Sequence, residues 1–190
     1  MPPMPVWHNE PPIWSEEGGV LAVTTARETD FWNNTFYGFL HDNGHFYAEP
    51  VEGDFSAELQ VSADYAELYD QAGLMLRVDE RNWLKAGVEF TDGYMHFSVV
   101  VTRDDQSDWS VLRLDGASSQ PVTLRLTRHA EALRVQLLVG GEWRLVRLAY
   151  LAMPASVEIG RMCCSPVGEG LEVRFDRYVI GPPIAKELHA

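Results

Sequence analysis

The sequence predicts an all-β protein, a sandwich of two antiparallel sheets. Three observations predict it. Short runs of alternating apolar and polar residues recur along the whole chain, about eleven of them. Turn dipeptides separate them, Asp92-Gly93 and Gly140-Gly141 being the clearest. No stretch carries the 3.6-residue period of an amphipathic helix. With 190 residues, 46 % of them hydrophobic, the chain suits one domain over residues 1–190 with a sizeable core.

Residues 1–19 hold five prolines and two glycines. Proline fixes φ and removes a donor, so an extended lead-in is expected, pinned by Trp7 and Trp14. Val20–Thr25 is a short β-branched strand. Glu28–Tyr47 is then a loop with seven aromatics, Phe31, Trp32, Phe36, Tyr37, Phe39, Phe46 and Tyr47. Asn33, Asn34, His41, Asp42, Asn43 and His45 lie between them. Two readings stay open: aromatics packed under the loop with polar residues capping turns, or a loop over a binding face with Trp32 and Tyr37 as stacking platforms. Asp54–Ser62 alternates as a half-buried strand. Residues 63–70 are too short and mixed to assign beyond a helical turn.

Asp70–Arg113 reads as four antiparallel strands. Asp92-Gly93 as a two-residue turn pairs Glu89 with His96, Gly87 with Ser98 and Lys85 with Val100. A three-residue loop around Asp79–Arg81 then sets Gln71 opposite Glu89, Gly73 opposite Gly87 and Met75 opposite Lys85. Arg77 faces Trp83, which keeps Arg77 from opposing Lys85 and lays it near the indole ring. One face, Leu74, Leu76, Leu84, Ala86, Val88, Phe97 and Val99 among others, is aliphatic and forms the core. The other is chemically mixed, and Trp109 falls on it beside Val100 or Thr102. The row Gly73–Gly87–Ser98 makes a trough, since a glycine row means that something approaches the backbone closely. Lys85 and Glu89, roughly 13 Å apart along one strand at ~3.3 Å per residue, bracket that trough at the width of a sugar ring. The plainer alternative is a cross-strand Glu89–His96 pair on a solvated face, with Lys85 lying over Met75.

Arg103–Asp108 is a polar loop whose aspartates lack calcium-loop spacing, so no metal is expected there. Val122–Arg128, Leu133–Val139, Trp143–Leu148, Val157–Cys163 and Leu171–Ile180 continue the strands. The formal charge of −13 repels a phosphate backbone and an anionic bilayer surface, so neither nucleic acid nor membrane is an expected partner. Cys163 and Cys164 are adjacent and cannot staple distant strands, which points to a reducing, cytoplasmic setting. No run of 18 apolar residues and no signal-peptide pattern is present. No cofactor motif is found.

The segments WHNEPPIW, TDFWNNTFYGF with DNGHF, YDQAGLMLRVDERNWLKAGVEF, SVVVT with SDWS, and MCCSPVGEGLEVRF together resemble the DUF1349 family across residues 7–181. The resemblance implies a concanavalin A-like lectin/glucanase fold, a jelly-roll sandwich of two curved antiparallel sheets. One fungal member is described as a regulator of enolase, which implies a metabolic-enzyme partner as one alternative. The family supplies no agreed catalytic residues.

The expected function is binding of a carbohydrate or related small polar ligand on the concave sheet. The candidate ligand residues are Trp32, Tyr37, His45, Asp70, Gln71, Lys85, Glu89, His96, Ser98 and Trp109. The third reading is a glycoside hydrolase, which needs two carboxyl groups. Glu89 has Gly87 and Thr91 at its alternating positions, so its partner would have to be Asp70 or a loop aspartate.

Overall fold

The computed structural model describes residues 3–189. Sixteen strands and no helix make up the fold among these residues. The first six are β1 (Val6–His8), β2 (Ile13–Glu17), β3 (Val20–Thr24), β4 (Phe31–Asn33), β5 (Leu40–Asp42) and β6 (His45–Glu52). There follow β7 (Phe55–Ala63), β8 (Gln71–Asp79), β9 (Asn82–Thr91), β10 (Tyr94–Arg103) and β11 (Gln106–Arg113). The last five are β12 (Val122–His129), β13 (Ala132–Val139), β14 (Glu142–Tyr150), β15 (Ser156–Cys164) and β16 (Glu172–Gly181).

Two seven-stranded antiparallel sheets stack face to face, in the orders β1-β6-β15-β8-β9-β10-β11 and β14-β13-β12-β7-β16-β3-β2. This is the predicted concanavalin A-like jelly-roll sandwich. A small sheet of β4 and β5 lies apart from both. The core between the large sheets takes Leu74, Leu76, Leu84, Ala86, Val88, Phe97 and Val99 from the first, and Leu59, Val61, Leu124, Leu126, Val135 and Phe175 from the second. Each set comes from alternate positions of its strands, because successive side chains of a strand leave on opposite faces.

The predicted register holds through the central hairpins. Glu89 pairs with His96, Gly87 with Ser98 and Lys85 with Val100; Gln71 pairs with Glu89 and Arg77 with Trp83; Trp109 pairs with Val100. Asp92 and Gly93 both have positive φ, 53° and 78°, the conformation that a two-residue hairpin turn of matching twist requires. The β8–β9 connection differs in detail. It is a two-residue turn with Asp79 paired to Asn82, preceded by a bulge between Arg77 and Asp79. The bulge adds the residue that a three-residue loop would have supplied, so the register upstream is unchanged.

The proline-rich lead-in is extended, as expected, and is also paired, β1 with β6 and β2 with β3. Its tryptophans do pin it: the Trp7 ring stacks on Tyr47 at 4.6 Å and meets Trp14 edge-on at 5.6 Å. Residues 64–70 form no helix. The predicted polar loop at Arg103–Asp108 contracts to a turn at Asp104-Asp105, with β11 starting at Gln106. Cys163 and Cys164 are free thiols, buried on opposite faces of β15, one in the sandwich core and one in the outer cluster.

Candidate functional site

The chemically mixed face of the first sheet is covered. Phe31 and Trp32 of β4 pack on Met75, Trp83, Val100 and Met162, together with Phe46 and Cys164, in a second apolar cluster outside the sandwich core. The polar residues of the aromatic loop fasten this cover. The Asn33 side chain donates to the carbonyl of Glu80 at 3.0 Å, and its backbone N–H donates to Ser107 Oγ at 2.9 Å. Asn34 donates to the carbonyl of Asp105 at 2.9 Å. Arg77 makes a two-pronged ion pair with Asp42, at 2.7 and 3.1 Å, so its guanidinium holds the loop rather than stacking on Trp83. The packing reading holds for Phe31, Trp32, Phe46 and Tyr47, which are buried, while Phe36, Tyr37 and Phe39 are exposed.

Between this cover and the sheet lies a pocket of about 420 Å³, within the size range of small-molecule sites. Trp32, Tyr37, Phe39, Tyr69 and Trp109 give it aromatic walls, with His41, Pro166 and Val167 at its margin. Trp32 stands nearly perpendicular to both Tyr37 and Trp109, at interplanar angles of 78° and 88°. Tyr69 adopts a left-handed backbone with φ 67°, a genuine outlier for an aromatic residue. Its N–H donates to the carbonyl of Phe90 at 2.7 Å, and its hydroxyl meets that of Tyr37 at 2.9 Å. Strain held this firmly is a feature of binding sites.

The polar floor consists of Asp30, Gln71, Lys85 and Glu89. Lys85 is 4 % exposed. Its ammonium donates to the carbonyl of Phe31 at 2.7 Å and to Asp30 Oδ1 at 3.2 Å, so it does not lie out over Met75 as a solvated lysine would. Asp30 Oδ1 also accepts from the Phe31 N–H at 2.8 Å and from the Gln71 amide at 3.4 Å. Glu89 Oε2 accepts from Ser98 Oγ at 3.1 Å, and Ser98 Oγ accepts from the Trp109 indole N–H at 3.0 Å. Burial pushes the Glu89 carboxyl up to about 7, against the opposing pull of the Lys85 charge and the Ser98 hydroxyl.

Of the ten candidate ligand residues, Trp32, Tyr37, Gln71, Lys85, Glu89 and Trp109 line this pocket. Ser98 braces two of them from below. His45 does not line it; its ring is buried, with Nε2 accepting from the Ala26 N–H at 3.0 Å and Nδ1 donating to the carbonyl of Asn9 at 2.6 Å. His96 lies beyond it, beside Thr91 and the Tyr94 carbonyl. Asp70 points the other way: Gln71 leaves on the outer face, so its neighbour leaves on the inner one. There Asp70 Oδ2 accepts from the Ala66 and Glu67 N–H groups and closes the 64–70 turn. It therefore supplies no second carboxyl beside Glu89.

The glycine trough is also filled. What approaches Gly73 and Gly87 is the facing strand itself, and only about 10 Å³ remains over the row beneath Met162. The ligand-sized space lies to one side, under the aromatic loop. Sequence reasoning missed Glu28, Asp30, Phe39, His41, Tyr69, Val100, Pro166 and Val167 at this pocket. Phe39 and His41 carry a signal, since they alternate with Tyr37. Pro166 and Val167 carry none, because they arrive from a loop 57 residues downstream of Trp109. No group of three or more His, Cys, Asp or Glu is placed to hold a metal ion among the described residues.

Two packed antiparallel seven-stranded sheets, with an aromatic pocket on the outer face of one, define a lectin-like β-sandwich protein. Within that class the chain belongs to the family described as Protein of unknown function (DUF1349), which it matches over residues 7–183. It is 39 % identical over 184 residues to Regulation of enolase protein 1 of Saccharomyces cerevisiae, spanning 96 % of this chain and 92 % of that protein. A crystal structure of a functionally unknown protein from Saccharomyces cerevisiae superposes with a TM-score of 0.91 at 38 % identity, over 96 % of this chain and 98 % of that one. The carbohydrate binding module CBM66 from Bacillus subtilis superposes with a TM-score of 0.62 at 13 % identity, over 95 % and 98 % of the two chains. At that identity the likeness speaks to the fold alone.

Proposed function

We propose that the pocket under the aromatic loop binds a carbohydrate or a closely related small polar ligand. The observation that carries this reading is the combination of orthogonal aromatic walls, Trp32, Tyr37 and Trp109, with a hydrogen-bonding floor of Gln71, Lys85 and Glu89. Aromatic faces suit the C–H surfaces of a sugar ring, and the floor groups suit its hydroxyls. The carbohydrate-binding neighbour adds support at the level of fold. The two buried free thiols accord with a reducing, cytoplasmic setting.

Calorimetric titration with a panel of mono- and oligosaccharides tests this. A binder is expected, and Trp109→Ala is expected to weaken it about tenfold or more. Binding unchanged by Trp109→Ala and Glu89→Gln together would place the site elsewhere.

A second reading rests on the name of the 39 % identical yeast protein: regulation of a metabolic enzyme such as enolase by direct contact. Co-sedimentation of the purified chain with purified enolase tests it. A complex that persists when the pocket wall is removed by Trp109→Ala would assign the contact to another surface.

A further inference from the structure

Three carboxyl groups line the pocket: Glu28, solvent-exposed and paired with Arg27, and two in unlike surroundings on the floor, Glu89 from the sheet and Asp30 from the loop. Asp30 is ion-paired through Oδ1 to the buried Lys85 ammonium, while its Oδ2 has no protein donor among the described residues. Glu89 uses Oε2 to accept from Ser98, and its Oε1 likewise has no protein donor among the described residues. Both residues line the same pocket. The Gln71 amide stands between them, 3.4 Å from Asp30 Oδ1 and directly across the sheet from Glu89. We propose that Glu89 and Asp30 form an acid–base pair that hydrolyses the glycosidic bond of a saccharide seated in this pocket. This rests on the carbohydrate reading of the site.

The roles follow from the surroundings. Burial keeps a proton on Glu89 near neutral pH, so Glu89 is the group able to give one up. Asp30 is held at Oδ1 by the Lys85 ammonium and has no protein donor at Oδ2 among the described residues, which suits it to accept a proton. Glycoside hydrolysis calls for two carboxyl groups in unlike surroundings, one to give a proton and one to take one. Glu89 gives its proton to the glycosidic oxygen as the bond from that oxygen to the anomeric carbon breaks, and the electron pair leaves with the alcohol. Asp30 takes a proton from water as the water oxygen bonds to the anomeric carbon. The products are the free sugar and the alcohol. A proton then passes from Asp30 to Glu89 through solvent, which restores both groups. Lys85 and Ser98 are positioning residues, each holding one carboxyl by one oxygen.

The positioning is built into the chain. The Asp30 N–H donates to Asn43 Oδ1 at 2.9 Å, and its carbonyl accepts from Asn43 and Gly44 at 3.0 and 2.9 Å. Gly44 is required there, because a side chain at that position would run into the Phe31 ring and Cys164. The turn thus seats Asp30 at a fixed height over the floor.

The test uses phenyl and 2,4-dinitrophenyl glycosides of glucose, galactose, xylose and arabinose in both anomers, with the full chain. The dinitrophenolate leaving group needs no proton. Glu89→Gln is expected to lose about 100-fold or more on the phenyl glycoside and under tenfold on its dinitrophenyl counterpart, the mark of a lost general acid. Asp30→Ala is expected to lose both and to regain turnover with added formate or azide. Because Asp30→Ala also strips Lys85 of its partner, its melting temperature is compared with that of Asp30→Asn, and formate rescue separates chemistry from folding. If saccharides bind by calorimetry yet no glycoside of the panel is cleaved above the Asp30→Asn, Glu89→Gln double variant, the acid–base pair is overturned and the binding reading stands. If none of the saccharides binds the wild type, both fall together.

Discussion

Gly73 and Gly87 face each other across β8 and β9, and a methyl group on either would overlap the backbone carbonyl of the opposite strand, Ala86 or Ala72. The two strands pinch together at this row more closely than two side chains allow. Gly87→Ala must therefore push β8 and β9 apart beneath Met162. The expected cost is about 3 kcal/mol, at the upper end for a forced methyl in a packed site. Urea unfolding measures it; a loss within about 0.5 kcal/mol, the scatter of a neutral surface change, would mean that the strands yield.

Glu89 gives the protein an acid-side preference. Its carboxyl binds a proton more tightly in the fold than in the unfolded chain, because burial disfavours its charge. The contribution is therefore full at pH below the ordinary value of 4.5, shrinks as the pH climbs towards about 7, and is lost above that. The span corresponds to stability on the order of 3 kcal/mol. Glu89→Gln keeps the shape without the titration. Its melting temperature is expected to vary less than that of the wild type between pH 5 and pH 8, and parallel curves would contradict the assignment.

His45 acts in the opposite sense. Desolvation lowers its pKa, with the Asn9 carbonyl as a weaker opposing influence. Nε2 must stay unprotonated to accept the Ala26 N–H. Its contribution is present above the ordinary histidine range and is lost as pH falls through the lowered value. Hydrogen exchange at the Ala26 amide reads this directly. Protection is expected to fall as the pH drops below the ordinary histidine range, and a profile that stays flat until the whole protein unfolds in acid would refute it.

Lys85 is the pivot between loop and sheet. Lys85→Met preserves the length of the stem and removes the charge, leaving the Phe31 carbonyl and Asp30 without their partner. The expected cost is about 3 kcal/mol, typical of breaking one side of a buried pair, and Asp30→Asn in the same chain is expected to recover part of it. Limited proteolysis at Phe36–Phe39 is expected to speed up in the single variant. An unchanged cleavage rate would show that the Arg77–Asp42 pair and the Asn33 and Asn34 hydrogen bonds hold the cover without Lys85.

The sequence by itself determined the sandwich, the inner face and the central register. Strict alternation divides each strand into two faces, and a two-residue turn at Asp92-Gly93 leaves only one pairing for Lys85, Gly87 and Glu89. The same alternation separates Asp70 from Gln71 and so argues against the expectation that Asp70 joins Glu89 on the outer face, which the turn-closing bonds of Asp70 overturn. What alternation cannot supply is whatever lies over the outer face. The mixed composition of that face read as solvated or ligand-bound, whereas Phe31, Trp32 and Met162 cover most of it. Loop residues have no period, and their positions follow from contacts with residues far away in sequence, such as Asn33 with Ser107 and Asp42 with Arg77. Only the tertiary structure brought Asp30 against Lys85, fifty-five residues apart, and so turned a trough on a sheet into a pocket beneath a loop.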